Sequence, residues 1–131
     1  MIEINGIKLE ADFMDADFIG QYEDATRHLQ QHALAQKVKH YDSLKEGYLE
    51  QIKVVNLYFN EIFGEGTADK IFAGKEKNLM AHLQAVEALT DWGNAEKKRL
   101  NDFTNKYTQR QAAQVQRQKA QMAGLVFHGK K

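Results

Sequence analysis

Apolar and polar residues alternate through the first thirteen positions: Ile2, Ile4, Ile7, Leu9, Ala11 and Phe13 are apolar, while Glu3, Lys8, Glu10 and Asp12 are polar. A period of two is that of a half-buried strand, and Asn5-Gly6 divides the run with a pair suited to the positive φ of a two-residue turn. The pattern predicts one amino-terminal β-hairpin. An isolated hairpin is marginal in water, so its apolar face must lie against helices.

The period then changes to steps of three and four. Asp15 and Asp17 supply acceptors and negative charge for a helix start, and Phe18, Tyr22, Ala25, Leu29 and Ala33 follow, predicting a helix over about 15–36. A second stripe runs Leu44, Tyr48, Ile52, Val55, Phe59 and Ile62, with Asp42 or Ser43 as its cap and Gly64 as a left-handed stop. Gly66 lets the backbone turn, Thr67 is placed to cap a short helix holding Ile71 and Phe72, and Gly74 ends it. The fourth segment starts near Lys77 or Asn78 and carries Leu79, Leu83, Val86, Leu89 and Trp92, then Leu100, Phe103 and Tyr107. Gly93-Asn94 is a candidate break, because a mid-helix glycine costs about 1 kcal/mol against alanine. After Tyr107 the apolar pattern changes: six of the thirteen residues 109–121 are Gln, Val115 and Met122 are the sizeable apolar side chains before Gly124, and Leu125-Val126-Phe127 follow it as a small apolar anchor.

These elements describe a mainly α protein, with an N-terminal β-hairpin followed by a helical bundle and a long protruding C-terminal helix. Residues 1–107 are expected to form a single helical domain with the hairpin, and 108–131 a basic, Gln-rich helical extension or flexible tail. A helix over 94–123 would measure roughly 45 Å at 1.5 Å per residue. A compact chain of this length is only roughly 36 Å across, so the last helix should overhang. The absence of proline in 131 residues fits long helices, since about 5% is usual.

Charge adds polarity. The formal net charge is zero, yet residues 1–65 hold twelve acids and six bases, whereas residues 96–131 hold two acids and nine bases. A basic end can steer an acidic partner, or meet the acidic front of another copy. The partner-binding candidates are therefore Lys97, Lys98, Arg99, Arg110, Val115, Arg117, Lys119 and Met122. Few aromatics accompany this charge, so a base-stacking platform for nucleic acid is not expected.

Catalytic patterns are missing. Without cysteine there is no disulfide, thiolate nucleophile or thiolate zinc site. His28 and His32 stand one helical turn apart, but no glutamate follows the first, as a hydrolytic zinc helix would require. The acids Asp12, Asp15, Asp17, Glu23 and Asp24 do not follow a calcium-loop spacing. Gly64-Glu-Gly66-Thr67 follows a helix and lacks the Lys-Ser/Thr ending of a phosphate loop. Ser43, the single serine, has no nucleophile-elbow context. The expectation is a protein that is not an enzyme and that holds no metal or cofactor. No apolar run is long enough to span a bilayer, and the first residues lack the pattern of a signal peptide.

Three stretches carry a resemblance: Ile4-Asn-Gly-Ile-Lys-Leu9, Asp15-Ala-Asp17 with Tyr22-Glu23, and above all Phe59-Asn-Glu-Ile-Phe-Gly-Glu-Gly-Thr67 with Ile71-Phe72. Over about residues 1–92 the chain resembles an uncharacterised family of small phage and prophage proteins of Gram-positive bacteria. Asn5, Gly6, Phe63, Gly64, Gly66 and Thr67 are its structural signature. That family tends to be encoded among tail morphogenesis genes. The resemblance implies a tail assembly chaperone-like factor that binds the tape-measure protein or its own copies, forms homo-oligomers, and works in the cytoplasm of the bacterial host or with the virion. A small phage inhibitor of a bacterial defence system, binding a protein or sequestering a signal, is the alternative.

Overall fold

The computed structural model describes residues 1–129, with side chains described through residue 120. Strands β1 (Ile2–Ile4) and β2 (Ile7–Leu9) precede helices α1 (Ala16–Lys37), α2 (Leu44–Phe63), α3 (Thr67–Ile71) and α4 (Leu79–Gly129). The expected mainly helical fold with an amino-terminal hairpin and a long carboxy-terminal helix is thus present. The chain divides into two compact units, Met1–Ala95 and Glu96–Lys131.

In the first unit, β1 and β2 pair antiparallel with Ile2 opposite Leu9 and Ile4 opposite Ile7. Asn5 at φ 53° and Gly6 at φ 80° make the turn. Alternation puts Ile2, Ile4 and Leu9 on the buried face. There they join Ala25 of α1, Val55, Tyr58, Phe59 and Ile62 of α2, Ile71 and Phe72 at the α3 end, and Ala85 and Leu89 of α4. Phe59 is the centre of this core. It has no exposed surface, and its ring meets those of Tyr58, Phe63 and Phe72 at centroid distances of 5.7, 6.3 and 5.8 Å. Offset and edge contacts of this kind are the favoured aromatic arrangements.

The helix starts follow capping chemistry. Asp15 accepts the Phe18 amide at 2.9 Å and Ser43 accepts the Glu46 amide at 3.1 Å, so Ser43, not Asp42, caps α2. Glu46 reaches back to the Asp42 amide at 3.2 Å, the reciprocal half of a capping box shifted by one residue.

Three expectations need correction. The apolar stripe of α2 enters the core only from Ile52 onward; Leu44 and Tyr48 are exposed, as is Ala33 of α1. The physical reason is length, since the hairpin, α3 and the first turns of α4 cover only the part of the α1–α2 pair beside Ile52 to Ile62. On α4, Leu83 faces solvent, and the inward positions are Ala81, His82, Ala85 and Leu89. The helix also runs through Gly93-Asn94 without a break. A β-carbon on Gly93 would stand 2.7 Å from Tyr22 Oη and 3.3 Å from Tyr22 Cζ, so the glycine makes room for Tyr22.

Candidate functional site: the corner and the exposed basic helix

The signature residues come together around one corner. Gly64 ends α2 at φ 107°, ψ 159°, and its amide donates to Asn60 O at 2.9 Å. This backbone is open to glycine but is not the expected left-handed helical stop; Gly66, at φ 86°, ψ −8°, has that conformation and caps α3. Thr67 therefore is the first residue of α3 and not its cap. Its hydroxyl donates to Gly64 O at 2.7 Å, bridging the corner. Asn60 supplies the missing side-chain cap from the preceding helix, accepting the Ala68 amide at 2.9 Å. Phe63 packs between Phe18 and Phe59, at 6.1 and 6.3 Å.

The hairpin is tied to the same place. Asn5 Nδ2 donates to Ile71 O at 2.9 Å, across 66 residues of sequence. Two stretches far apart in the sequence are thus one structural unit. Its atoms are spent on backbone hydrogen bonds and packing, which assigns Asn5, Gly6, Phe63, Gly64, Gly66 and Thr67 to architecture.

Beneath the corner lies a residue that the hydrophobic pattern does not single out. His82 is fully buried, stacked on Phe72 with centroids 3.8 Å apart and planes 16° apart. Its Nδ1 lies 2.7 Å from Asn78 O. A carbonyl only accepts, so Nδ1 carries the proton and Nε2 is left as an acceptor, buried without a partner. The spacing His82, Ala85, Leu89, Trp92 is the signal that places it inside. By contrast, His28 reaches Glu61 Oε1 at 2.7 Å and links α1 to α2, and His32 is exposed. Among the described residues no group of three or more His, Asp and Glu stands close enough to hold a metal ion.

Depressions open on the first unit. One, of about 570 Å³, is lined by Lys45, Tyr48, Leu49 and Lys77. Glu76 lies close by in the loop before α4; the Gly74 amide donates to its Oε1 at 3.0 Å, and backbone hydrogen bonding holds its carboxyl below the usual glutamate value. A second, of about 410 Å³, is lined by Ile52, Lys53, Asn56 and Asn60 of α2 with Glu76 and Lys77. A third, shallow and of about 370 Å³, has Met1, Ala11 and Phe18 as its apolar lining and Glu10, Asp12 and Asp15 as its acids.

The second unit is helix. Every residue from Lys97 to Ala120 is exposed. The predicted partner residues Lys97, Lys98, Arg99, Arg110, Val115, Arg117 and Lys119 all lie in this stretch, while the side chains of Met122 and of the anchor Leu125-Val126-Phe127 lie outside the described residues. Lys98 pairs with Asp102 at 3.6 Å and Arg99 with Glu96 at 2.8 Å, contacts that order the helix surface and contribute little stability when exposed. The signal that charge alone misses is apolar: Leu100, Phe103 and Tyr107, which continue the period of the core stripe, leave 40%, 69% and 56% of their surfaces open. Their spacing of three and four puts them on one face. Covering such a side chain contributes at most about 1.5–3 kcal/mol. Association costs roughly 4–15 kcal/mol, so three of them hold a partner only with the help of the adjoining cations.

A family model matches residues 5–121, described as a family of unknown function, DUF6673. The chain belongs to this family. The matched stretch covers the hairpin turn, the corner and the exposed helix, and so reaches beyond the residues 1–92 that carried the resemblance. Comparison with curated proteins and with solved structures finds no match. No helix among the described residues is long and apolar enough to cross a membrane.

Proposed function

We propose that this protein is a phage- or prophage-encoded assembly factor without enzymatic activity, similar in role to a tail assembly chaperone, and that residues 97–119 of α4 hold the tape-measure protein. One observation carries the reading. A helical surface exposed from Lys97 to Ala120 presents Leu100, Phe103, Tyr107 and Val115 together with seven Lys and Arg side chains, against which Asp102 is the single acid. Solvated helices do not ordinarily carry a row of large apolar side chains, whereas a helix that lies on another helix does. The corner offers no comparable surface, because its polar atoms are committed to holding α2, α3 and the hairpin together.

The resemblance supplies the identity of the partner, and the host cytoplasm follows from it as the working compartment. The test is affinity capture of the tagged full chain from an induced lysogen or infected culture, at low and moderate salt, with mass spectrometry. Recovery of the tape-measure protein at low salt, reduced at moderate salt, is the expected result. Recovery of a host defence protein with no tail component would overturn the proposal.

A further inference from the structure

The two ends of the sequence carry opposite charge and complementary surfaces. Residues 1–24 contain seven acids and one lysine, while residues 96–120 contain two acids and seven bases. The shallow depression of about 370 Å³ beside α1 is lined by apolar Met1, Ala11 and Phe18 and by the acids Glu10, Asp12 and Asp15. The Met1 amine, held on Ala11 O at 2.9 Å, offsets one of these charges and leaves the rim negative. On the exposed helix, Phe103 and Tyr107 are aromatic knobs standing on one face, with Lys106 just before Tyr107 and Arg110 one turn after it.

We propose that the helix of one copy docks on the shallow acidic depression of a second copy, with Phe103 or Tyr107 against Met1, Ala11 and Phe18 and Lys106 and Arg110 against Glu10, Asp12 and Asp15. This rests on the preceding reading of residues 97–119 as an interaction surface and gives that surface a second occupant, a copy of this chain, that competes with the tape-measure protein. Charge decides between the occupants. Symmetric pairing of two such helices would bring together two segments that each carry five excess positive charges, within the roughly 8–10 Å over which salt leaves charges unscreened. The two larger depressions have the wrong sign for this helix, since the charged walls of one are Lys45 and Lys77 and those of the other are Lys53 and Lys77 against the single acid Glu76. The acidic depression matches it in charge. The contact joins different surfaces of the two copies, so it is heterologous: repetition yields a ring where the rotation closes and an open chain where it does not.

Sedimentation of the purified full chain over a concentration series tests this. In about 50 mM salt the wild type should form species larger than a monomer, and association should weaken at least tenfold by about 500 mM salt. The rim variant Glu10→Lys/Asp12→Asn/Asp15→Asn keeps an acceptor at 12 and a cap at 15; the helix variant Lys106→Glu/Arg110→Glu changes only exposed positions. Each alone should be monomeric where the wild type associates. Their equimolar mixture should form a heterodimer, because one variant retains the native helix and the other the native depression. Phe103→Ser/Tyr107→Ser, which alters no residue of the Met1–Ala95 unit, should also be monomeric and keeps self-docking falsifiable if the rim variant misfolds. A monomeric wild type, unchanged association in the helix or Phe103/Tyr107 variant, or a folded mixture that stays monomeric would overturn self-docking. A monomeric wild type that still captures the tape-measure protein would leave the functional proposal standing, whereas self-association without such capture would remove that proposal and leave this one.

Discussion

Tyr22 Oη lies 2.7 Å from the point where a β-carbon on Gly93 would stand, so α1 and α4 approach at a place where only glycine fits without movement. The ring of Tyr22 is held by Phe13 and Phe18, with centroids 6.3 Å away in both cases, and cannot swing freely aside. Two effects of opposite sign meet at this position. Helix propensity favours Gly93→Ala by about 1 kcal/mol, while overpacking of a filled site costs about 1–3 kcal/mol. The substitution should therefore destabilise the protein by about 1 kcal/mol in denaturant unfolding. In a Tyr22→Phe background, which removes the oxygen, the same substitution should become neutral or stabilising.

His82 gives a second prediction. Replacing it with alanine removes the stack on Phe72 and the hydrogen bond to Asn78 O, and opens a cavity at a fully buried position. The expected cost is about 2–4 kcal/mol, within the range for large-to-small core changes. The loss should register as a lower thermal midpoint, with the amides of the Phe72 turn exchanging faster.

Tyr58 sets an alkaline limit. Burial pushes its hydroxyl up to about 12, opposed in part by the hydrogen bond with Thr26 Oγ1 at 3.0 Å. Burial likewise raises Tyr22, against a lowering hydrogen bond from Tyr58. An acid whose folded value exceeds its unfolded value near 10 favours the folded state below about pH 10. That contribution is lost as pH rises from about 10 to about 12, because the unfolded chain releases its proton first. Stability should fall across this window, and Tyr58→Phe should flatten the fall while removing a late phase from the ultraviolet titration of tyrosine.

Much of this architecture is legible in the sequence because it rests on local rules. Alternation with Asn5-Gly6 specifies the hairpin, and Asp15 and Ser43 mark helix starts that capping chemistry requires. The corner is legible as a corner, but its bonding is not: Asn60 and Asn5 complete it from 8 and 66 residues away in sequence. Gly93 misleads for a related reason, since its rationale is the close approach of Tyr22 and not a change in the backbone. Leu100, Phe103 and Tyr107 continue the helical period without a visible seam, so periodicity alone does not separate a core stripe from an exposed one. The run of base without acid after Asp102 singles out Arg110, Arg117 and Lys119 in the sequence, whereas the exposure of the whole stretch from Lys97 to Ala120 is visible in the structure alone.

An interaction role for the exposed apolar face of α4 is tested most directly by affinity capture with wild type and Leu100→Ser/Phe103→Ser/Tyr107→Ser side by side, together with thermal unfolding of both. These side chains lie outside the Met1–Ala95 unit, so the stability of that unit should change by less than about 0.5 kcal/mol, as for ordinary surface changes. Recovery of the tape-measure protein should fall at least tenfold. Equal recovery by the triple variant and the wild type would contradict an interaction role for this face.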